Sequence, residues 1–295
     1  MPHPATIRFD DGLSAIAGGR EWETVAEGFG FTEGPVWHRG GSLLFSDIPN
    51  DRIHRWRDGD VSVYREPSGR SNGLTFDEQG RLVSCHHELR CVMRETAHEP
   101  LPIATHFEGK RLNSPNDVVV RSDGRIFFTD PPYGIKEERR AAGREEIEPE
   151  LPFNGVFTIA PQGSLALICD DFDRPNGIAL SPDERTLYVA DTARTHVRAF
   201  DVDSNGALSN GRVFAEMREE GRADGMKVDG EGRVYVCART IQVFAADGRP
   251  LGVIDCPRSP ANCAWGADGS DFYITARTGV YRLRIDTIGI ALHLL

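Results

Sequence analysis

The stretch RPNGIALSPDERTLYVAD, residues 174–191, combines an Asn-Gly pair, a short apolar run, a Pro-Asp turn and a second run rich in β-branched and aromatic residues. Two further stretches follow this plan, SPNDVVVRSDGRIFFTD at residues 114–130 and RADGMKVDGEGRVYVCA at residues 222–238. Short runs of this kind, separated by turns that contain Gly or Asp, predict pairs of antiparallel strands. The chain therefore repeats one small β unit.

Six segments share this plan, and each opens with a residue that carries a side-chain oxygen. Successive openings are separated by 39, 44, 60, 48 and 38 residues. Units of about 40–50 residues with about four strands each are typical of propeller blades. The sequence thus predicts an all-β fold, a six-bladed β-propeller of four-stranded antiparallel blades. The opening residues are Glu33, Asn72, Asn116, Asn176, Asp224 and Asn262.

Two other segments fit this architecture. The run WETVAEGF, residues 22–29, predicts a strand that closes the last blade, whose own strands are CAWGA, DFYITA and GVYRLRI. Such closure removes the open sheet edges that favour aggregation. The charged segment IKEERRAAGREEIEPELP, residues 135–152, accounts for the 60-residue step and predicts an insertion in the third blade, either a short helix or a lid. Because one blade cannot bury its own faces, we expect residues 1–295 to form a single domain.

Charge and hydropathy exclude two classes of partner. The chain carries 34 basic and 45 acidic residues, a net charge of −11, without a Lys/Arg-rich run, so binding to nucleic acid or anionic lipid is disfavoured. No apolar run reaches the ~20 residues of a membrane helix. The apolar segment IGIALHLL, residues 288–295, is too short to span a bilayer and covers either the outside of the propeller or a partner chain. The oligomeric state stays open.

The N-terminus and the cysteines indicate where the protein resides. The first residues lack the basic and apolar regions of a secretory signal. The six cysteines contain no CxxC pair, which argues against a thiolate zinc site. Several of them lie in strand-like runs, where a free cysteine acts as a small buried hydrophobe. We therefore expect a reduced, cytoplasmic protein.

The six opening residues are expected to meet at the centre of the propeller. The innermost strand of each blade lines the central channel, so equivalent positions on six inner strands form a ring. Two carboxylates and four amides in such a ring are costly without a partner, and their oxygens are the ligands that hard divalent cations prefer. Asn-Gly and Asp-Gly are also common turn pairs. Six openings in phase, with the poor turn former Glu33 at the first, favour a ring that binds one divalent cation.

Four motifs resemble the gluconolactonase family, within the superfamily of regucalcin (senescence marker protein) and luciferin-regenerating enzyme. They are FTEGPVW, RLNSPNDVVVRSDGRIFFTDPPYG, RPNGIALSPDERTLYVADT and ADGMKVD, and the likeness runs from Glu33 to the region of Trp265. The resemblance implies a six-bladed propeller that holds one divalent cation on its axis and hydrolyses aldonolactones. Calcium is the first expectation for the cation, with Mg²⁺, Mn²⁺ and Zn²⁺ as alternatives.

The resemblance also assigns roles to individual residues. By position, the metal ligands would be Glu33, Asn176 and Asp224. Asn116 matches a residue beside the metal that binds either the cation or the substrate. Asp224 stands where the family has its proton-transfer residue, so it is the catalytic candidate. It would accept a proton from water or orient a metal-bound water, and a hydroxide on the cation is the alternative nucleophile.

The substrate contacts of regucalcin-type members match less well. Those proteins have an Arg at the position of Ser114 and a sugar-binding Glu at the position of Gly134. Arg111 lies nearby in the sequence and is a possible replacement. His87 follows a strand and is expected either to line the pocket or to pack within its blade, whereas Tyr133 is expected to reach over the mouth. The candidate substrate-binding residues are Asn72, His87, Arg111, Asn116 and Tyr133.

Three functions are compatible with these patterns. Metal-dependent hydrolysis of a small-molecule sugar lactone is the main expectation. A phosphotriesterase or arylesterase that uses the same axial calcium, as in diisopropylfluorophosphatase-like propellers, is the nearest alternative. A calcium-binding propeller without enzymatic activity is the third, and it predicts no turnover of any lactone.

Overall fold

The computed structural model describes residues 3–218, 221–266 and 268–290. Six antiparallel sheets of at least four strands follow one another along the chain, as a six-bladed propeller requires. The strands of blade one are Thr32–His38, Ser42–Asp47, Arg52–Arg57 and Asp60–Arg65. Those of blade two are Ser71–Phe76, Leu82–His86, Cys91–Arg94 and Leu101–Ala104. Those of blade three are Val118–Val120, Ile126–Asp130, Asn154–Ile159 and Leu165–Phe172.

The second half of the chain repeats the arrangement. The strands of blade four are Pro175–Leu180, Thr186–Asp191, His196–Val202 and Leu208–Glu216. Those of blade five are Met226–Val228, Val234–Cys237, Ile241–Phe244 and Pro250–Ile254, with Ile7–Arg8 added at the outer edge. Those of blade six are Asn262–Trp265, Asp271–Ala276, Gly279–Arg284, Glu21–Glu27 and His3–Pro4. The predicted all-β six-bladed propeller is therefore confirmed.

The hydrophobic core consists of layers between neighbouring blades. Successive side chains of a strand point to opposite faces of its sheet. Leu44 of blade one therefore packs with Leu74 of blade two, whereas its neighbour Leu43 packs with Ala264 and Tyr273 of blade six. Four further clusters fill the remaining gaps around the ring. Each blade thus buries both faces only because it has a neighbour on either side.

The N-terminal strand closes the ring. Glu21–Glu27 pairs antiparallel with Gly279–Arg284, as the sequence predicts. Trp22 of this strand is buried in the layer between blades five and six, and its indole N–H donates to the carbonyl oxygen of Asp255 at 2.8 Å. The short strands His3–Pro4 and Ile7–Arg8 then pair with the edges of blades six and five. The first and last parts of the chain are therefore joined in one sheet.

Helices are short and lie outside the blades. Within the described residues they are Ser14–Ala17 and Glu137–Ala141, and neither is long and apolar enough to cross a membrane. Glu137–Ala141 lies in the segment 131–153, between the second and third strands of blade three. A two-stranded hairpin, His106–Phe107 with Lys110–Arg111, links blades two and three. All six cysteines lie in the described residues and are free thiols. Residues 291–295 of the apolar tail lie outside the described residues.

Substituting Trp22 tests whether the N-terminal strand holds the ring closed. We expect Trp22→Ala to lower the free energy of unfolding by about 3–5 kcal/mol, because it removes a buried ring and leaves a cavity between two blades. Glu21→Ala, on the same strand but exposed, should change the free energy by less than about 0.5 kcal/mol. Urea unfolding of both variants measures this difference. Equal stabilities would contradict a closing role for the strand.

Candidate functional site

The six opening residues lie at or just before the first residues of the inner strands. In blades one, two and four the strand pairing shifts register at the opening, between Glu33 and Val36, between Ser71 and Leu74, and between Pro175 and Ile178. Such bulges bend a strand and redirect its side chains. The inner strands therefore start irregularly at the end of the channel where the opening residues meet.

Close packing of the inner strands explains why glycine follows four of the openings. A Cβ atom on Gly34 would lie 1.9 Å from the carbonyl oxygen of Asn72, and one on Gly177 would lie 2.2 Å from that of Asp224. Both contacts are with backbone, which cannot move aside as a flexible side chain can. The equivalent atoms on Gly73 and Gly225 would clash with blades three and six. The glycine after each of these openings thus allows neighbouring blades to approach closely.

In two cases, a hydroxyl group of the preceding blade fixes the backbone of an opening residue. Ser46 Oγ donates to the carbonyl oxygen of Asn72 at 2.8 Å, and Thr129 Oγ1 donates to that of Asn176 at 2.7 Å. Between blades two and three the link is a backbone bond, from the N–H of Gly73 to the carbonyl oxygen of Asn116 at 2.8 Å. These bonds cross from one blade to the next and hold the opening residues in a fixed register.

An aspartate at the end of the second strand holds the loop before the opening in three blades. These residues are Asp47, Asp130 and Asp191, each almost completely buried. Their carboxylates accept hydrogen bonds from backbone N–H groups that precede the opening by two or three residues, which prevents an unsatisfied polar loop beside the channel. The donors are Gly30 and Phe31 for Asp47, Asn113 for Asp130, and Asp173 and Arg174 for Asp191.

Glu33 and Asp224 form the electrostatic centre of the ring. Burial raises the pKa of Glu33 well above its usual value, and the charge of Asp224 raises it further. Burial also raises the pKa of Asp224 to about 7, with an added contribution from the charge of Asp117. Neighbouring carboxylates that are removed from water favour the protonated form unless a cation compensates them. Residues from blades one and five, far apart in sequence, are thus brought together.

Asp117 is a third carboxylate at the centre and was not among the predicted site residues. It follows the opening of blade three, where four other blades have glycine, and it is 2% exposed. Its carboxylate accepts the N–H of Val118 at 2.9 Å and lies 3.4 Å from both the N–H of Ile178 and Nδ2 of Asn262. The Asn-Asp pair, in place of Asn-Gly, is the signal that could have identified it.

The remaining openings supply amides around this centre. Asn176 forms a side-chain hydrogen bond that stabilises ionised Asp224, and its Nδ2 donates to Thr192 Oγ1 at 3.0 Å. Asn262 stabilises ionised Glu33 in the same way. Asn116 is buried. Four of the six predicted ring residues, Glu33, Asn176, Asp224 and Asn262, are therefore connected by contacts or charge.

The donors present fit a hard divalent cation. Two carboxylates with raised pKa values stand beside amide oxygens, and such oxygen donors suit calcium or magnesium rather than a soft metal. Within residues 3–218, 221–266 and 268–290, no group of three or more His, Cys, Asp or Glu side chains has the arrangement of a metal site. A cation at this centre would therefore be held by a mixed set of carboxylates and amides.

His87 connects the opening of blade two with the inserted helix. Its Nδ1 lies 2.6 Å from Oε1 of Glu138, and its Nε2 lies 3.2 Å from Nδ2 of Asn72. A carboxylate can only accept from Nδ1–H, so neutral His87 has Nε2 free to accept from the amide of Asn72. With its amide nitrogen donating to His87, the side chain of Asn72 still has its carbonyl oxygen to accept a further hydrogen bond.

The insertion covers one side of the mouth through two anchors. Glu138 contacts His87 next to blade two, and Glu137 Oε1 pairs with Arg174 Nη1 of blade four at 2.5 Å. Arg174 also stacks over the ring of Tyr133 at 5.3 Å. The hydroxyl oxygen of Tyr133 is buried beside the side chains of Thr192 and Asn176, although among the described residues no hydrogen bond of good geometry reaches it. Burial, together with the nearby charge of Asp224, raises the pKa of this hydroxyl to about 12, so it remains a donor.

Ser114 and Gly134, the two positions at which the sequence departs from the pattern expected of regucalcin-type members, touch each other. Ser114 Oγ donates to the carbonyl oxygen of Pro131 at 2.6 Å and accepts the N–H of Gly134 at 2.9 Å. A Cβ atom at position 134 would lie 2.5 Å from Cβ of His87. A glutamate therefore does not fit at position 134 in this structure.

Arg111 lies on the hairpin between blades two and three. Its guanidinium donates to the carbonyl oxygen of Leu89 at 2.9 Å, and its backbone N–H donates to Glu150 Oε2 at 2.8 Å. In the described part of the chain, no contact links Arg111 with Glu33, Asn176 or Asp224. Among the predicted substrate-binding residues, the structure thus places Asn72, His87 and Tyr133 near the ring and gives Arg111 contacts in the hairpin region.

A cleft of about 640 Å³ lies beside Asp224, between blades five and six. Its volume falls in the range of about 300–1,000 Å³ that is usual for small-molecule sites. The lining residues are Phe31, Gly221, Arg222, Asp224, Ala238, Arg239, Ser259, Pro260, Ala261 and Arg277. Asp224, which is half-buried as a residue, thus borders the cleft on this side.

The family model for the SMP-30/Gluconolactonase/LRE-like region matches residues 31–278. The chain belongs to this family. The resemblance seen in the four sequence motifs is therefore confirmed over most of the chain.

Individual relatives agree with this assignment. A gluconolactonase of Zymomonas mobilis is 35% identical over an alignment of 296 positions, gaps included, that covers 90% of this chain and 82% of the relative. The solved structure of a gluconolactonase from Xanthomonas campestris is 35% identical, has a TM-score of 0.89 and covers 97% of this chain and 98% of that chain. The structure of a calcium-binding regucalcin from Agrobacterium tumefaciens shares the fold, with a TM-score of 0.75, 19% identity, and coverage of 93% and 96%.

The buried Asp130 makes stability depend on pH. Burial raises its pKa from 3.8 to about 7. The folded state therefore retains a proton that the unfolded chain loses, so the free energy of unfolding falls as the pH rises from about 4 to 7. The free energy of unfolding of Asp130→Asn should therefore exceed that of wild type by an amount that grows over this range and reaches a few kcal/mol at about pH 7. Urea unfolding at pH 5 and pH 8 measures the gain, with the exposed Asp58→Asn as control. Parallel pH profiles for wild type and Asp130→Asn would disprove it.

Proposed function

We propose that this protein is a metal-dependent lactonase, a carboxylic ester hydrolase that opens a sugar lactone to the hydroxy acid. The observation that carries the proposal is the pair Glu33 and Asp224, whose pKa values are raised at the centre of a ring of amides. The gluconolactonases of Z. mobilis and X. campestris, each 35% identical to this chain, support a lactone as the substrate.

The proposed cation would be held by Glu33, Asn176 and Asp224, with Asn116 as a further candidate ligand. Calcium is our first choice, because the oxygen donors are hard and the structurally similar regucalcin is a calcium-binding protein; Mg²⁺, Mn²⁺ and Zn²⁺ are the alternatives. When bound, the cation would polarise the lactone carbonyl and stabilise the negative charge that develops on its oxygen.

Asp224 is the residue that would accept a proton from the attacking water. Asp224 borders the cleft, and cation binding would keep its carboxylate ionised and so able to accept a proton. As the water oxygen bonds to the carbonyl carbon, one water proton passes to Asp224. The bond between that carbon and the ring oxygen then breaks, and the departing oxygen takes up the proton from Asp224, which regenerates the carboxylate. Asn176 and Arg277 lower the pKa of Asp224 and so keep it able to ionise.

Two polar groups near the ring would orient the sugar. The hydroxyl of Tyr133, which is buried beside Thr192 and Asn176, would donate to a substrate oxygen by turning away from these two residues. The side-chain carbonyl of Asn72, whose amide nitrogen contacts His87, can accept from a sugar hydroxyl. His87 acts here as a positioning residue, because Glu138 fixes its tautomer and it in turn orients Asn72. Both groups would bind substrate without taking part in bond breaking.

Chelation followed by metal add-back tests this proposal. Hydrolysis of glucono-1,5-lactone should fall to the spontaneous rate after chelation and return when Ca²⁺ is added. Calorimetry of the same titration should show proton release near pH 6, because binding requires ionised carboxylates and those of Glu33 and Asp224 have raised pKa values. Full activity of the chelated protein would refute metal dependence.

An Asp224→Asn variant separates the catalytic carboxylate from the fold. It should lose turnover by about 100-fold or more, since it can neither accept a proton nor supply an anionic ligand. Asp58→Asn, which removes the same charge from an exposed turn at the opposite end of blade one, should retain wild-type turnover. Hydrolysis of aryl esters or fluorophosphates without any lactone hydrolysis would favour the phosphotriesterase alternative. Turnover of none of these substrates would favour a binding protein.

A further inference from the structure

We propose that the cleft beside Asp224 binds an anionic group of the substrate, so that the lactone carries a carboxylate or a phosphate away from its reacting carbonyl. This inference rests on the proposed function and names the substrate class for the same site. It is carried by three arginines, Arg222, Arg239 and Arg277, that line the cleft together with Asp224.

The three guanidinium groups are available for a ligand. In the described part of the chain, Arg222, Arg239 and Arg277 form neither an ion pair nor a side-chain hydrogen bond. Two arginines on the opposite side of the mouth differ. Arg174 is paired with Glu137, and Arg144 is paired with Glu88, so they stabilise the insertion. Three unpaired arginines thus lie together at this cleft, beside the candidate catalytic residue.

The fold holds these arginines at the mouth. Arg222 precedes the opening Asp224 by two residues, and Phe31 and Pro260, at the same offset in blades one and six, line the same cleft. Arg239 lies in the turn between Val234–Cys237 and Ile241–Phe244. Arg277 lies between the second and third strands of blade six. All three therefore come from short connections at one end of the propeller.

Backbone contacts restrict the Arg277 turn further. Its carbonyl oxygen accepts the N–H of Thr32 at 2.7 Å. Thr32 Oγ1 lies within hydrogen-bond distance of the same oxygen, at 3.2 Å, and donates to Gly279 at 2.9 Å. The turn that presents Arg277 is thus attached to blade one, directly before the opening Glu33. An anion bound there would be held at a fixed distance from the ring.

The sign of the local charge is opposite to that of the whole protein. The chain has a net charge of −11, whereas the described residues that line this cleft include three arginines and one acidic residue. A cation held by Glu33 and Asp224 would balance those two carboxylates, and the three arginines would outweigh the remaining carboxylate of Asp117. A basic site on an acidic protein attracts anions and retains them selectively.

The wall of the mouth formed by blade three leaves the side of blades five and six for the rest of the sugar. At blade three, Ser114 bonds to Gly134, and a side chain at position 134 would collide with His87. A lactone carbonyl near Asp224 would therefore extend its remaining carbons toward blades five and six. Guanidinium groups bind carboxylate and phosphate oxygens through paired N–H donors. A lactone of a dicarboxylic sugar acid, or a phosphorylated aldonolactone, matches this arrangement.

Steady-state kinetics of wild type and the double variant R222Q/R239Q test the inference. The substrates are glucono-1,5-lactone, its 6-phosphate and glucaro-1,4-lactone, which separate a neutral tail from a phosphate and a carboxylate. Wild type should prefer at least one anionic lactone in kcat/KM by about tenfold or more, and added NaCl should reduce this preference. The double variant should lose the preference through KM, with the neutral lactone changed by less than about twofold.

The control is Arg39→Gln, which removes an exposed arginine from the turn at the far end of blade one and should leave all three rates unchanged. Equal wild-type rates on the three lactones, or an equal loss on all of them in R222Q/R239Q, would overturn the inference while leaving the lactonase proposal intact. If wild type hydrolyses no lactone, calorimetry with 6-phosphogluconate and gluconate decides. Tighter binding of 6-phosphogluconate than of gluconate, lost in R222Q/R239Q, would support the anion site. Equal binding of the two compounds by wild type would reject it.

Discussion

The site depends on how closely the six inner strands approach one another around the axis. At Gly34 and Gly177 the next blade lies so near that a Cβ atom would overlap its backbone. Hydroxyls of Ser46 and Thr129 then bind the carbonyl oxygens of the adjacent openings. The side chains that open the strands have no freedom to separate. Two carboxylates that would repel each other in a flexible protein are therefore kept together, and a cation is the natural partner for them.

The surroundings divide the mouth into two sides with different tasks. On the side of blades two to four, the insertion is fixed to His87 and Arg174. On the side of blades five and six, the cleft is open, and arginines such as Arg239 line it. Under the proposed function, the ring would supply the reaction centre, and the asymmetry around it would supply the specificity.

Much of the fold could be read from the sequence, because each blade repeats a strand, a turn and a second strand with strong local signals. The closing strand Glu21–Glu27 was predicted for the same reason, whereas Ile7–Arg8 on blade five is too short to carry a periodic pattern. Asp117 was missed because the Asn before it matched the repeat. The contact between His87 and Glu138 joins residues 51 positions apart, so only the folded chain shows it. Cleft residues such as Arg277 follow no repeated motif.

The central claim is that Glu33, Asn176 and Asp224 jointly hold one cation at the axis. Crystals grown with Ca²⁺, and separately with Mn²⁺, would test it by anomalous diffraction. The account predicts a single strong peak on the axis, with side-chain oxygens of these three residues at about 2.3–2.6 Å for calcium. An axis without a cation at saturating metal, or a peak that these side chains do not contact, would contradict it.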